Sequence, residues 1–163
     1  MRGHRYIAIT TTLALTSCSY SYDLQAIVDH GRLAFVVDPK SRKDATCIRS
    51  IHVSAEGAAR AKPADGDDRA LVENGVFWWK DVSSDTCRND FPVLYGQPLQ
   101  GKPFLPPGVE AKPLRIGATY EVETTGSGSG YGSGRFRIRR DHTVENIPVH
   151  DNTAKMTEPA NDS

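Results

Sequence analysis

Short apolar runs broken by a polar turn follow the N-terminal region, and they constrain the fold more than any other feature. Leu24–Val28 and Leu33–Val37 are rich in branched residues and are separated by the polar, glycine-containing segment Asp29–Arg32. Such runs predict two antiparallel strands joined by a tight turn. Asp38 and Pro39 end the second strand, because proline has no amide hydrogen to donate to a β-ladder.

Two further segments are read with the two-residue period of a strand. In Thr46–Ser54 it places Cys47 on the inward face of a strand. In Gly75–Val82 both faces carry large aromatic side chains, with Trp78 on one face and Trp79 on the other. We expect one tryptophan to be buried in the core. The other is either covered by neighbouring chain or exposed as a contact for a partner.

A proline-rich segment follows, and it excludes both a helix and a central strand. Phe91–Gly108 contains five prolines, and each removes an amide hydrogen that such elements need. Apolar residues between the prolines, among them Leu94 and Tyr95, predict an irregular cover over the sheet. A proline-rich recognition ligand is the alternative interpretation. We retain Tyr95 as a candidate contact residue.

The clearest hairpin comes late in the chain. Thr119–Glu123 and Arg135–Arg139 alternate between apolar and charged residues, and the glycine/serine segment Thr124–Gly134 lies between them. A register that pairs Glu123 with Arg135 gives the arginine row carboxylate partners on a solvated face. The glycine spacing is not that of a phosphate loop, so the segment is predicted to be a flexible tip. Tyr131 at its centre is a candidate contact residue.

The segment Leu114–Tyr120 combines a glycine with a tyrosine at the start of a predicted strand. It resembles the tyrosine corner of fibronectin type III and immunoglobulin-like domains. The resemblance implies an all-β fold, an antiparallel two-sheet sandwich of about seven strands over residues 22–149. Cys87 departs from that family, because it precedes the tyrosine segment instead of following it.

Another resemblance concerns the N-terminus, where Leu15–Cys18 follows a basic start and a short apolar run. This segment resembles the lipobox of bacterial lipoproteins. The resemblance implies that residues 1–17 are a signal peptide, that Cys18 is acylated, and that residues 18–21 form a lipidated tether. Ser19, in place of an aspartate, implies the periplasmic face of the outer membrane. A non-lipidated secretory signal is the alternative, because threonines weaken the apolar run.

The remaining cysteines, Cys47 and Cys87, form an even pair in the oxidising compartment that the lipobox implies. A disulfide is the expected state of such a pair. A redox-active or metal-binding thiol pair is the alternative, but the sequence has no CxxC motif and no clustered histidines. We therefore predict one structural disulfide and no metal site.

Composition and motifs exclude several function classes. With 20 basic and 20 acidic residues, the chain lacks the basic excess that nucleic-acid binding usually requires. Its histidines are scattered, and it has neither a serine-nucleophile motif nor a cofactor motif. No catalytic residue and no cofactor is predicted. The polar segment 150–163 is predicted to be a disordered tail.

These observations predict a lipid-anchored bacterial envelope protein that is a non-enzymatic binding or structural accessory. Its expected partners are the membrane, through the anchor, and an envelope protein or glycan. Two alternatives remain open: an accessory lipoprotein of a secretion or surface-assembly machine, and a periplasmic hydrolase or carbohydrate-active enzyme.

Overall fold

The computed structural model describes residues 19–83, 87–104, 108–126 and 129–148. Ten strands and one short helix lie within these ranges. In chain order they are β1 (Tyr20–Asp29), β2 (Arg32–Val37), β3 (Cys47–Ala55), α1 (Arg69–Glu73), β4 (Val76–Ser83), β5 (Asn89–Asp90), β6 (Val93–Leu94), β7 (Lys102–Pro103), β8 (Thr119–Gly126), β9 (Gly130–Ile138) and β10 (Val144–Ile147). The predicted signal peptide, Cys18 and the predicted tail lie outside the described residues.

The strands hydrogen-bond into one curled, mixed sheet shaped like a half-barrel. Its order is β6-β2-β1-β9-β8-β3-β4-β7, with β10 beside β9 and β5 beside β3. β1 and β9 run parallel over Tyr20–Asp23 and Gly130–Ser133, and the other paired strands are antiparallel. The mostly β class is confirmed. Within the described ranges the strands form this single sheet, and a two-sheet antiparallel sandwich is not seen.

β1 begins earlier in the chain than the sequence analysis predicted. The strand starts at Tyr20, so Tyr20 and Ser21 belong to the sheet and not to the predicted tether. The hairpin with β2 is confirmed, and its turn residues His30 and Gly31 have φ of 47° and 77°. This left-handed conformation is what a two-residue hairpin turn requires.

The hydrophobic core lies on the inner side of the curled sheet and is rich in aromatic rings. Phe136 contacts Phe35 and Tyr120, with ring centroids 5.5 and 5.6 Å apart respectively. Phe77 and Trp78 are both fully buried. Adjacent residues of a strand normally face opposite sides of the sheet. Here the pairing of β3 with β4 shifts register next to Val53, and this irregularity accounts for the burial of both Phe77 and Trp78.

The glycine/serine segment is mostly strand, which corrects the prediction of a flexible tip over Thr124–Gly134. β8 continues to Gly126 and β9 begins at Gly130, so β9 takes in the second half of that segment. Its inward positions are glycines because β1 occupies the space that side chains would need. A Cβ at Gly132 would overlap the ring of Tyr22, and one at Gly134 would lie 2.5 Å from the carbonyl oxygen of Leu24.

The β8–β9 hairpin has a register two residues away from the predicted one. Tyr120 pairs with Phe136 and Glu121 pairs with Arg135, whereas the prediction paired Glu123 with Arg135. A shift of two residues leaves every side chain on its predicted face. The two faces were therefore predicted correctly and the cross-strand partners were not.

The hydroxyl of Tyr120 bonds to the backbone just upstream of its strand. This hydroxyl accepts a hydrogen bond of 2.7 Å from the backbone N–H of Arg115, five residues upstream. Gly117 makes the intervening turn with φ of 82°. The contact is local, and the strands around it have the order of the mixed sheet.

Three ties hold the irregular segments to the sheet. Cys47 and Cys87 form the predicted disulfide, with their Cα atoms 5.7 Å apart. The proline-rich segment covers the core as predicted, because Val93 is fully buried and β6 pairs with β2. The loop before α1 is held by Asp67, which accepts hydrogen bonds from the Lys112 ammonium group and from two backbone N–H groups.

The Asp67–Lys112 ion pair is withdrawn from solvent. The Asp67 side chain is 0% exposed and that of Lys112 is 8% exposed. Burial alone would raise the pKa of Asp67, but its hydrogen bonds from Lys112, Ala64 and Glu110 outweigh that effect and lower the pKa.

Candidate functional site

Two rows of polar side chains cross the outer side of the sheet from β3 to β9, and they form the candidate site. In the first row, Ser50 lies opposite Thr125, and Thr125 lies opposite Tyr131. The hydroxyl oxygens of Ser50 and Thr125 are 2.6 Å apart and share a hydrogen bond. Tyr131 ends the row with 55% of its surface exposed. The row therefore joins hydroxyl groups to an exposed aromatic ring.

The second row is centred on His52. On β4 it faces Trp79, and on β8 it faces Glu123, which in turn lies opposite Ser133 on β9. Nδ1 of His52 is 3.4 Å from a carboxylate oxygen of Glu123. This distance suits an ion pair, but the alignment is not that of a hydrogen bond, and the buried Nδ1 atom has no hydrogen-bond partner among the described residues. Because Nδ1 is buried, a ligand in the groove does not reach it, although the His52 side chain as a whole is 32% exposed.

A groove of about 270 Å³ runs over both rows. Besides the two rows, Ser21, Thr124 and Gly132 line it. A second groove of about 620 Å³ extends toward β10 and shares Ser21 and Ser133 with the first. The two grooves share these residues of β1 and β9, so they lie next to each other.

Beyond the second row, the outer side becomes charged. Glu121 lies opposite Arg135, but the guanidinium group of Arg135 donates two hydrogen bonds to Glu56, at 2.6 and 2.8 Å. These bonds lower the pKa of the Glu56 carboxyl. The pKa of Glu121 is raised, first by burial and then by the like charges of Glu123 and Glu56.

Arg137 of β9 and Arg139, directly after that strand, also have protein partners. Arg137 donates to the hydroxyl of Thr119, and Arg139 donates to the carboxylate of Glu145 on β10. The row is thus a partnered, solvated face, as the sequence predicted. Its partners differ from the predicted ones because of the hairpin register and because Glu56 and β10 also contribute.

The four candidate contact residues fall into two groups. Trp78 lies in the core with 0% exposure, so it is not a surface contact. Tyr95 is half-buried, and its hydroxyl donates to the backbone carbonyls of Phe77 and Lys112. Trp79 and Tyr131 lie on the outer side, but Trp79 packs against Val72 and Val109 and is only partly exposed. Tyr131 is the one of the four that is well exposed.

The polar members of the site were not predicted as a site. Ser50, His52 and Glu123 each appeared as an ordinary outward position on a predicted strand. The two-residue period of the strands places each of these residues on the outer face. Bringing them into one site also depends on the order and register of β3, β8 and β9. Register is a long-range property that no short motif here encodes.

The catalytic potential of the site is limited by its geometry. Ser50, His52 and Glu123 lie close together, but the Ser50 hydroxyl is bonded to Thr125 and not to His52. Within the part of the chain that the structure describes, no three histidine, cysteine, aspartate or glutamate side chains are grouped to hold a metal ion. The arrangement is better suited to hydrogen bonding and aromatic stacking than to nucleophilic attack.

Comparisons with known protein families, with curated proteins and with solved structures find no match for this chain. No helix among the described residues has the length and apolar character needed to cross a bilayer.

Proposed function

We propose that this protein is a lipid-anchored bacterial envelope protein of the binding or accessory type, and that it binds a glycan in the groove on the outer side of its sheet. Residues 1–17 act as the signal peptide and Cys18 carries the lipid, on the periplasmic face of the outer membrane. The observation that carries the binding role is the groove itself. It brings Tyr131 together with the side chains of Ser50, His52, Glu123 and Thr125.

This chemistry fits a sugar ring. The apolar face of a pyranose packs against an aromatic ring, while its hydroxyls need both donors and acceptors. Tyr131 supplies the ring, Ser50 and Thr125 supply hydroxyls, and Glu123, with 59% of its side chain exposed, supplies an acceptor. The second groove, which lies next to the first, gives a longer oligosaccharide room to extend.

Binding can be tested with the lipidated protein in phosphatidylcholine nanodiscs, titrated with chito-oligosaccharides and with cello-oligosaccharides. Tyr131→Ala should weaken binding about tenfold, which corresponds to about 1.4 kcal/mol. Ile116→Ala is the matched control, because Ile116 is 48% exposed and does not line the groove. Equal affinity of the Tyr131 variant and the parent protein, or no binding of either saccharide series, would show that the groove does not bind glycans.

The anchor has its own test, the intact mass of the protein recovered from membranes. The expected mass is that of a chain beginning at Cys18 with added acyl groups, and Cys18→Ala should abolish the acylation. An unmodified, soluble chain would contradict the anchor and leave the groove unaffected.

A hydrolase is the second candidate, and the proximity of His52 and Glu123 is the observation that favours it. A histidine beside a carboxylate is the usual base and orienting pair of acid–base catalysis. The test is whether the protein cleaves the bound saccharide. Loss of cleavage in His52→Asn, with binding retained, would favour this candidate over simple binding.

A further inference from the structure

The lipid anchor and the sheet are separated by a single residue. β1 begins at Tyr20, so only Ser19 lies between Cys18 and the first residue of the strand. With at most about 3.8 Å between successive Cα atoms, the Cα of Tyr20 lies within about 8 Å of that of Cys18. An acylated Cys18 therefore leaves the folded domain no flexible linker with which to stand away from the bilayer.

The end of the sheet that carries Tyr20 also carries Tyr131. Tyr20 pairs with Gly130 and Ser21 pairs with Tyr131, because β1 and β9 run parallel here. Ser21 is three residues from Cys18, which is no more than about 10 Å of extended chain. Tyr131 thus lies at nearly the same height above the anchor and exposes 55% of its surface.

This height matches the head-group layer of a membrane. A bilayer of about 40–45 Å with a hydrocarbon core of about 30 Å has head-group layers roughly 5–8 Å thick on each side. Tyrosine is enriched at this level, because its ring is apolar and its hydroxyl is polar. From the short tether, we infer that this end of the sheet rests on the bilayer surface, with Tyr131 among the lipid head groups.

The opposite end of the sheet should then point away from the membrane. Val28 lies seven residues beyond Ser21 on β1, roughly 23 Å further along the strand. Its exposed fraction, 53%, is close to that of Tyr131, but it lies farther from the anchored end of β1. The groove opens at the same level, so a bound glycan and the lipid head groups compete for the ring of Tyr131.

The contact does not depend on lipid charge. The exposed side chains at the membrane-facing end carry both signs, with Arg49 beside Gly126 and Asp90 opposite Cys47. Attraction to anionic lipids needs a local basic excess. The anchor and the aromatic contact therefore hold this end on the membrane.

The inference rests on the lipid anchor of the proposed function, and one experiment separates the two. The lipidated variants Tyr131→Trp and Val28→Trp are placed in phosphatidylcholine vesicles with brominated acyl chains, and the fluorescence of the parent protein is subtracted. Quenching at position 131 should be several-fold stronger than at position 28. It should be unchanged when phosphatidylglycerol is added.

A linker variant completes the test. Insertion of a long Gly-Ser linker between Ser19 and Tyr20 should reduce quenching at position 131 to the level at position 28, while the protein still co-floats with the vesicles. Equal quenching at both positions in the parent arrangement, with co-flotation, overturns the orientation alone. Loss of co-flotation overturns the anchor, and the orientation with it.

Discussion

The first half of β9 carries glycines on its inner side, at 130, 132 and 134, whereas the second half carries arginines on its outer side, at 135 and 137, with Arg139 directly after the strand. The glycine half lies parallel to β1, which fills the space that its side chains would occupy. The arginine half pairs antiparallel with β10, and its side chains reach Glu56, Thr119 and Glu145.

This difference shows that visible interactions are a poor guide to what a strand contributes. The arginine half makes ion pairs and hydrogen bonds, but water competes for each of them. The glycine half makes few side-chain contacts, but any added atom would displace the neighbouring strand from a closely packed position. The stability of the fold should therefore depend more on the glycines than on the arginines.

The substitution with the largest expected effect on stability is Gly132→Ala. The new Cβ would overlap the Tyr22 ring and the Thr124 hydroxyl, so we expect a loss of about 3 kcal/mol in the free energy of unfolding, at the upper end for overpacking. Chemical denaturation measures the loss. Ser133→Ala, at the adjacent outward position, is the control and should change little. A neutral Gly132 variant would mean that β1 does not constrain β9.

The buried ion pair of Asp67 and Lys112 is a second test, because water does not compete for it as it does for the arginine contacts. Asp67→Asn leaves Lys112 without its charge partner at a site where neither side chain is more than 8% exposed. We expect a loss of roughly 2–3 kcal/mol in the free energy of unfolding, as for other broken buried pairs in which the remaining charge can move toward water. The loss should fall as pH drops through the lowered pKa of Asp67, because both proteins then lack the carboxylate charge. A loss that does not vary with pH would contradict this account.

The Arg135–Glu56 pair, whose side chains are 22% and 36% exposed, should matter less than either change above. A double-mutant cycle with Arg135→Ala and Glu56→Ala isolates its coupling free energy, which we expect to be favourable, smaller than the effect of Asp67→Asn and reduced by added salt. Thermal unfolding at two ionic strengths measures it. A coupling that exceeds the Asp67 effect would show that exposure is not what separates the two kinds of pair.

The smallest expected effect is a gain in stability, in the variant Glu121→Gln. The pKa of Glu121 is raised in the folded state, so its ionised form destabilises the fold at neutral pH. Glu121→Gln should stabilise the protein at pH 7 by roughly a few tenths of a kcal/mol, since solvent screens much of the repulsion. The gain should disappear as pH falls toward the ordinary carboxyl pKa of 4.5, where Glu121 takes up a proton. A gain in stability that persists in acid would show that the effect comes from strand propensity and not from charge.

Local patterns predicted much of this fold. Two apolar runs around a polar turn identified the hairpin of β1 and β2, and the period of two identified the inward and outward faces of β8 and β9. Compartment and cysteine count predicted the disulfide. The parallel pairing of β1 with β9, the register shift beside Trp78 and the site around His52 were not predicted. Each depends on which distant strand lies alongside, and that is decided by packing of the whole core.

The glycine/serine composition of residues 124–134 also has a consequence for protein engineering. A run of this kind is commonly chosen as the place to insert an epitope tag or a fluorescent reporter. Here an insertion within Gly130–Gly134 would fall inside the central strand of the sheet and against β1. The exposed turn at Asp141–His142 would accept an added segment more readily, although its composition suggests no linker.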